Sequence, residues 1–260
     1  MTGRTTPIAR TAAVLALLAG LAACGDGGPS QEGASTTQAP AAPVIDPGDG
    51  GDYDPQVDPA DFVEGIDNPY LPLVPGTRWV YEGESDGEHE RIEVEVTDET
   101  RTVMGITAVV VRDTVYVDGE LAEDTYDWFA QDREGNVWYL GEDTYEYEDG
   151  QRVNDAGAWE AGVDGALPGI VMPARPEVGD AFRQEYDPGE AEDMGEILAV
   201  AVAKAIGLGT YDDVVVTEDW TPLEPEIVEE KWYAREIGLI YERGVAGTTG
   251  SVELIEHTAP

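Results

Sequence analysis

In Arg91–Thr97 (RIEVEVT) apolar and charged side chains alternate without a break. Successive side chains of a strand point to opposite faces, so Ile92, Val94 and Val96 share one face and Arg91, Glu93 and Glu95 the other. That sorting is the mark of an antiparallel strand with one buried and one wetted face, and a 3.6-residue helix cannot gather it into one stripe. The same period recurs. Thr77–Glu82 places Trp79 and Tyr81 together, and Ala108–Val117 is rich in β-branched residues before Asp118-Gly119 turns into Leu121–Ala130. Gly135-Asn136 turns into Val137–Leu140, and Asp149-Gly150 offers another tight turn. Further strands are expected at Val214–Trp220, Glu226–Ala234, Leu239–Arg243 and Ser251–His257. The expected fold is all-β: an antiparallel meander forming a curved sheet or partly open barrel, with room for one short helix.

Two stretches resist the pattern. Asp155–Gly189 is dense in glycine and proline and reads as an ordered loop or cap rather than sheet. Glu190–Ile206 carries two periods at once. Met194, Ile197, Leu198, Ala201 and Ala205 fit a helical stripe, whereas Leu198, Val200 and Val202 alternate; Gly195 and the Gly207-Leu208-Gly209 turn favour a strand.

Ahead of the β region stand two different segments. Arg4 and Arg10 precede an uncharged apolar run, Thr11–Ala22, too short for a bilayer core that needs about 20 residues but suited to a signal peptide. The run closes in Leu21-Ala22-Ala23-Cys24, which resembles the bacterial lipobox. That resemblance implies cleavage after Ala23 and acylation (palmitate-type chains) of Cys24, the sole cysteine. The alternative is an ordinary signal peptide that leaves Cys24 a free thiol. Several acyl chains make anchoring stable where one is marginal. The arginines are not adjacent, so no twin-arginine signal is present, and no second long apolar run follows. The expected organisation is signal peptide 1–23, a disordered acidic Gly/Pro/Ala-rich tether 24–60 and an acidic β domain 61–260. Such a tether averages roughly 30–36 Å end to end.

Charge narrows the function. The 260 residues hold 14 Lys+Arg against 55 Asp+Glu, a formal net charge of −41. Nucleic-acid binding through clustered cations is excluded. A single cysteine excludes internal disulfides and thiolate zinc sites. Asp49, Asp52 and Asp54 lack the spacing of a calcium loop, leaving only weak calcium binding as an expectation. His89 and His257 sit apart in acidic strand contexts and read as solvent-facing, so no metal site is expected. No nucleophile elbow, zinc-protease helix, phosphate loop or dinucleotide fingerprint is present, so no catalytic residue and no cofactor is assigned and the reading leans against an enzyme.

The most unusual local chemistry runs from Trp159 to Met194. Folded over a concave sheet, Trp159 and Met172 would form an apolar wall, with Glu190, Glu192 and Asp193 as polar contacts at its rim. The alternative makes the loop a structural plug, with Trp159 in the core and Arg183 neutralising an acid.

Asn68–Tyr81 (NPYLPLVPGTRWVY) and Trp232–Ile240 (WYAREIGLI) resemble the opening and closing segments of a group of bacterial secreted proteins and lipoproteins with no established activity. The first matches N-P-Y-x-P-L-x-x-G-x-x-W-x-Y and the second a Y-A-x-x-x-G-L-I hairpin. Similar stretches occur around Asp127–Asp132, Gly135–Tyr139 and Gly189–Met194. Glu236 departs from the pattern, which would place Gly or Pro there. The resemblance implies a β-rich envelope domain and carries over no catalytic residue.

Three functions remain as expectations. The first is an extracytoplasmic, membrane-anchored binding module for a small or lipophilic ligand or an envelope partner. The second is a carboxylate-dependent hydrolase of the cell envelope. The third is a structural or cation-buffering surface protein.

Overall fold

The computed structural model describes residues 53–260; the expected signal peptide, Cys24 and the expected tether up to residue 52 lie outside the described residues. Strands make up nearly all of the regular structure among the described residues. In order these are β1 (Arg78–Ser85), β2 (Glu88–Val103), β3 (Ile106–Val117), β4 (Glu120–Gln131), β5 (Val137–Asp143), β6 (Glu146–Glu148), β7 (Gln151–Asn154) and β8 (Trp159–Glu160). There follow β9 (Leu167–Met172), β10 (Ala181–Arg183), β11 (Glu185–Tyr186), β12 (Met194–Ile206), β13 (Gly209–Trp220), β14 (Val228–Ala234), β15 (Gly238–Ala246) and β16 (Gly250–Thr258). A single 3₁₀ turn, Pro59–Asp61, is capped by the Asp58 carboxylate.

Every pairing is antiparallel, and the sheet runs β10-β12-β13-β14-β15-β16-β1-β2-β3-β4-β5-β9-β11. Its two ends, β10 and β11, flank Gln184 in one continuous segment. The first half of that segment pairs with β12, the second with β9. The sheet therefore comes round on itself as a nearly closed barrel with one seam. Full closure removes the exposed edges that an open sheet leaves free to pair.

The seam corrects the expectation for Asp155–Gly189, which holds four strands rather than a loop. Prolines and glycines misled because they serve the closure. Pro168, lacking an N–H, lies opposite Glu185 in the short β9–β11 ladder. A Cβ on Gly169 would stand 2.1 Å from the Gln184 carbonyl oxygen, so only glycine lets the closing segment approach. Beyond them Ile170, Val171 and Met172 are buried as an ordinary strand.

Glu190–Ile206 is a strand over Met194–Ile206, and its double periodicity has a physical cause. The β12–β13 ladder slips at Ile197/Ala199, Ala199/Val202 and Val202/Lys204, and Ala201 adopts φ 52°. Each bulge shifts the alternation by a residue, producing a mixture that resembles a helical stripe. Elsewhere the expected strands are present, and the Asp118-Gly119 and Asp149-Gly150 turns have positive φ at both residues, as two-residue hairpins require.

The end of the predicted tether is part of the barrel's coat. The Tyr53 hydroxyl donates to the Pro168 carbonyl at 2.7 Å, its ring lies 5.4 Å from that of Tyr186, and Val57 packs on the core. Residues 53–60 thus lie on the domain rather than in a tether, because an aromatic ring and a branched side chain find apolar surface there.

Outside, the wall is wet and charged. Arg112 forms a forked pair with Asp124 (2.7 and 3.0 Å), and Arg91 bridges Glu82 and Glu93. No helix among the described residues is long and apolar enough to cross a membrane.

If Gly169 is needed for closure, Gly169→Ala should lower the urea midpoint by an amount worth about 2 kcal/mol or more, because the clash is with backbone. Val178→Ala, at an exposed site, should stay within about 0.5 kcal/mol in the same denaturation series.

Candidate binding site

Alternation fixes what the barrel encloses. On β3, Val111, Asp113 and Val115 share a face, and the register sets them against Asp127, Thr125 and Glu123 of β4. Asp127 in turn lies opposite Glu142 of β5. Across the barrel, Asp219 of β13 lies beside Glu229 of β14, and Lys231 of β14 beside Glu242 of β15. Carboxyls therefore occupy positions in phase with the apolar core. Asp113, Asp127, Glu142, Glu185, Asp219, Glu242 and Glu90 are all buried.

Few cations answer them. Lys231 Nζ sits 3.0 Å from Asp219, and both side chains are about 8% exposed. Gln184 also donates to that carboxylate, at 3.1 Å. The Tyr139 hydroxyl lies 2.6 Å from Asp127 Oδ1 and 2.9 Å from Glu142 Oε2. A phenol has one proton, so one of these carboxyls must carry its own and donate to the phenol oxygen. Asp127 Oδ2, Glu142 Oε1, Glu185 Oε2, Glu242 Oε2 and both oxygens of Asp113 have no hydrogen-bond partner.

A buried carboxylate without such partners shifts to its neutral form. Burial raises Asp113 well above the usual range, and the neighbouring Asp127, Glu123 and Glu90 push it further. Burial likewise raises Glu142, Glu185 and Glu242. Asp127 is raised to about 7 by burial, opposed by its bond from Tyr139. Glu90, Glu123, Asp193 and Glu229 also reach about 7, each through burial first. Burial opposes the charge on Lys231, but Asp219, Glu242 and other neighbours outweigh it and hold the ammonium protonated.

Against this floor lies a cavity with about 70 Å³ open to the centres of water-sized molecules. That exceeds the space that one ordered water needs. Its walls are apolar: Leu71, Leu73 and Trp79 from one side, Val94, Val111 and Phe129 from the strands, and Leu239 from the β14–β15 turn. Asp113, Asp127, Gln184, Lys231 and Tyr233 supply its polar groups.

Both segments that carry the family resemblance converge here. Leu71, Leu73, Trp79 and Tyr81 belong to the opening segment, and Tyr233, Gly238 and Leu239 to the closing hairpin. Side chains tie the two together. The Trp79 indole donates to the Ile237 carbonyl (2.7 Å), and the Tyr81 hydroxyl to the Leu239 carbonyl (3.0 Å). The Glu236 N–H donates to the Pro69 carbonyl at 2.7 Å, and Glu236 itself holds φ 64°, the left-handed conformation that a glycine takes more easily. Asn68 fixes the preceding bend by accepting from the N–H groups of Tyr70 and Leu71.

The residues singled out in the sequence lie elsewhere. Trp159 and Met172 are buried in the core, Trp159 edge-on to Tyr139, and neither lines the cavity. Glu190 is exposed in a turn; Glu192 accepts from the Gly189 N–H and lies 4.0 Å from Arg183. Asp193 is half-buried and belongs to the carboxyls around Lys231. His89 is exposed, while His257 stacks half-buried on Trp79 at 5.7 Å. Asp113, Asp127, Lys231 and Tyr233 were missed, although each breaks an apolar or aromatic phase on its strand. No group of three His, Cys, Asp or Glu among the described residues could hold a metal ion.

No protein-family model and no curated protein matches the sequence. Among solved structures, a Bacteroides fragilis protein described as exported, with a YMCC-like fold, matches at 16% identity with a TM-score of 0.44. The match covers 73% of this chain and 99% of that one. A Parabacteroides distasonis protein described as a lipoprotein matches at 15% identity and a TM-score of 0.34, over 73% of this chain and 98% of that one.

The interior carboxyls fix the pH dependence of stability. Their folded values near 7 lie above unfolded values of about 4, so the fold binds more protons than the unfolded chain between those limits. Their stabilisation is complete below about pH 4 and is lost as pH rises through 7. The melting temperature should therefore climb by roughly 5 °C or more from pH 8 to pH 5, as differential scanning calorimetry would show. An unchanged or falling value would mean that these carboxyls are not enclosed. Lys231→Met should cost about 3 kcal/mol at pH 8, where it strands ionised partners. It should cost clearly less at pH 5, where Glu229 and Glu242 are protonated, in paired urea titrations.

Proposed function

We propose that this chain is a lipid-anchored extracytoplasmic lipoprotein whose barrel binds a small molecule with an apolar body. The observation that carries the binding reading is the convergence of Trp79, Tyr81, Tyr233 and Leu239 on one cavity with apolar walls and a buried polar floor. Pockets of that composition hold ligands by area and orient them by a few polar contacts. The lipobox-like Leu21-Ala22-Ala23-Cys24 supports the anchor, and the charged outer wall suits a domain held in water beside the membrane.

A carboxylate-dependent hydrolase of the cell envelope is the second reading, favoured by Asp113 and Asp127 lining the same cavity. It is the weaker one. Glycoside hydrolysis needs one carboxyl ionised as base or nucleophile beside a protonated acid, and Asp127, raised to about 7, beside Asp113, raised well above the usual range, would divide those roles only near and above neutral pH.

Two measurements test the proposal. In cells, Cys24→Ser should move the protein from the membrane to the soluble extracytoplasmic fraction; continued membrane association would remove the anchor. In solution, ligand-observed NMR should detect 1-hexanol binding to the mature chain, and Val111→Phe, which fills the cavity, should weaken it at least tenfold. Equal binding by the filled variant would place the ligand elsewhere.

A further inference from the structure

We infer that the cavity selects small organic cations, an ammonium group on an apolar body, with Asp113 as the counter-ion. This rests on the binding reading above and adds the charge of the ligand.

The argument begins with hydrogen bonds. Asp113 is 3% exposed, lines the cavity, and neither of its oxygens has a partner. A buried carboxyl left so is costly unless something donates to it. The nearby donors are committed. Tyr139 serves Asp127 and Glu142, Tyr81 donates to the Leu239 carbonyl, and Gln184 donates to Asp219. Lys231 is held by Asp219 at 3.0 Å. With the protein's own donors committed, the partner of Asp113 has to come from what occupies the cavity.

Charge then decides which donor. Asp113 is faced by acids from both neighbouring strands, Glu90 on β2 and Glu123 and Asp127 on β4, while Asp124 adds its charge from the outer face of β4. Tyr81 faces it from β1, and Lys231 and Tyr233 of β14 line the opposite side of the cavity. An anionic ligand would add negative charge to this group with only one occupied lysine to meet it. A cation is drawn in by the same acids and meets the aromatic side chains of Trp79, Tyr81 and Phe129 in the walls, where ring faces favour positive charge. A neutral alcohol gains the walls but not the ion pair.

The protons balance. In the empty cavity Asp113 is held neutral. As the ammonium arrives, the carboxyl loses its proton to solvent and the carboxylate accepts from the ammonium N–H groups. One proton leaves for each cation bound, so affinity rises with pH, by up to tenfold per unit while Asp113 is protonated in the free protein.

Isothermal titration of the full mature chain with three probes of one shape (hexylammonium, 1-hexanol and hexanoate) tests this. At pH 7.5 hexylammonium should bind at least tenfold tighter than 1-hexanol, and hexanoate should bind more weakly than either. Hexylammonium should tighten between pH 6 and pH 8 and release a proton, read from the heats in two buffers of different ionisation enthalpy. Asp113→Asn should bring hexylammonium down to the level of 1-hexanol, with circular dichroism and a cooperative thermal melt showing that the variant is folded. Hexanol or hexanoate binding as tightly as the cation, or an Asp113→Asn variant that keeps the preference, would overturn the cation assignment and leave the cavity reading standing. Failure of all three probes would overturn both.

Discussion

Bringing a sheet round on itself forces half of every strand's side chains out of water, whatever those side chains are. In this barrel the rule has an unusual consequence, because Asp and Glu hold many of the inward positions. Desolvation of those carboxyls is the term to which the rest of the interior responds. It holds most of them neutral, commits Lys231 to Asp219, and makes the Tyr139 hydroxyl share a proton economy with Asp127 and Glu142. Among the buried carboxyls of the described residues only Asp113 has both oxygens bare, and it is there that the barrel keeps a cavity.

Closure depends on small geometric allowances rather than on strong interactions. The segment Ala181–Tyr186 serves both ends of the sheet because Gly169 and Gly195 let it lie close: a Cβ at either would strike Gln184 or Phe182. Gln184, between the two half-ladders, also reaches Asp219, so the seam and the buried lysine pair share a residue. The opposite requirement, keeping a space open, falls to the segments Asn68–Tyr81 and Trp232–Ile240. They lock to one another through the Trp79 and Tyr81 hydrogen bonds to backbone carbonyls of the hairpin, so the cavity wall is held by bonds that do not consume its polar floor.

Much of the fold was legible because alternation is a strong signal wherever one face is wet. Ile92, Val94 and Val96 turn inward, as the pattern of β2 requires. The same signal failed where a strand contributes to closure, since β9 has no wet face to alternate with and carries Pro168 and Gly169 for reasons of approach. It blurred in β12, where three slips of register break the phase. The site was less legible. Trp159 and Met172 stand out in a sequence because large apolar residues amid glycines look exposed, yet closure buries them. Asp113 looked like one acid among 55. The distinguishing sign was its phase: it stands two residues from Val111 and from Val115, on the face that must go inside.

That distinction separates two populations of charge in this chain. An outward carboxylate such as Asp124, paired with Arg112 at the surface, contributes little, and another acid could stand in its place. An inward one imposes a desolvation penalty that the fold must offset continuously, and Val or Leu at the same position would be more stable. Solubility accounts for the outer acids but cannot account for the inner ones, since they do not face the surrounding solvent. Their presence at positions where apolar residues would pack better fits work done inside the barrel, and the cavity beside Asp113 is where the geometry leaves room for it.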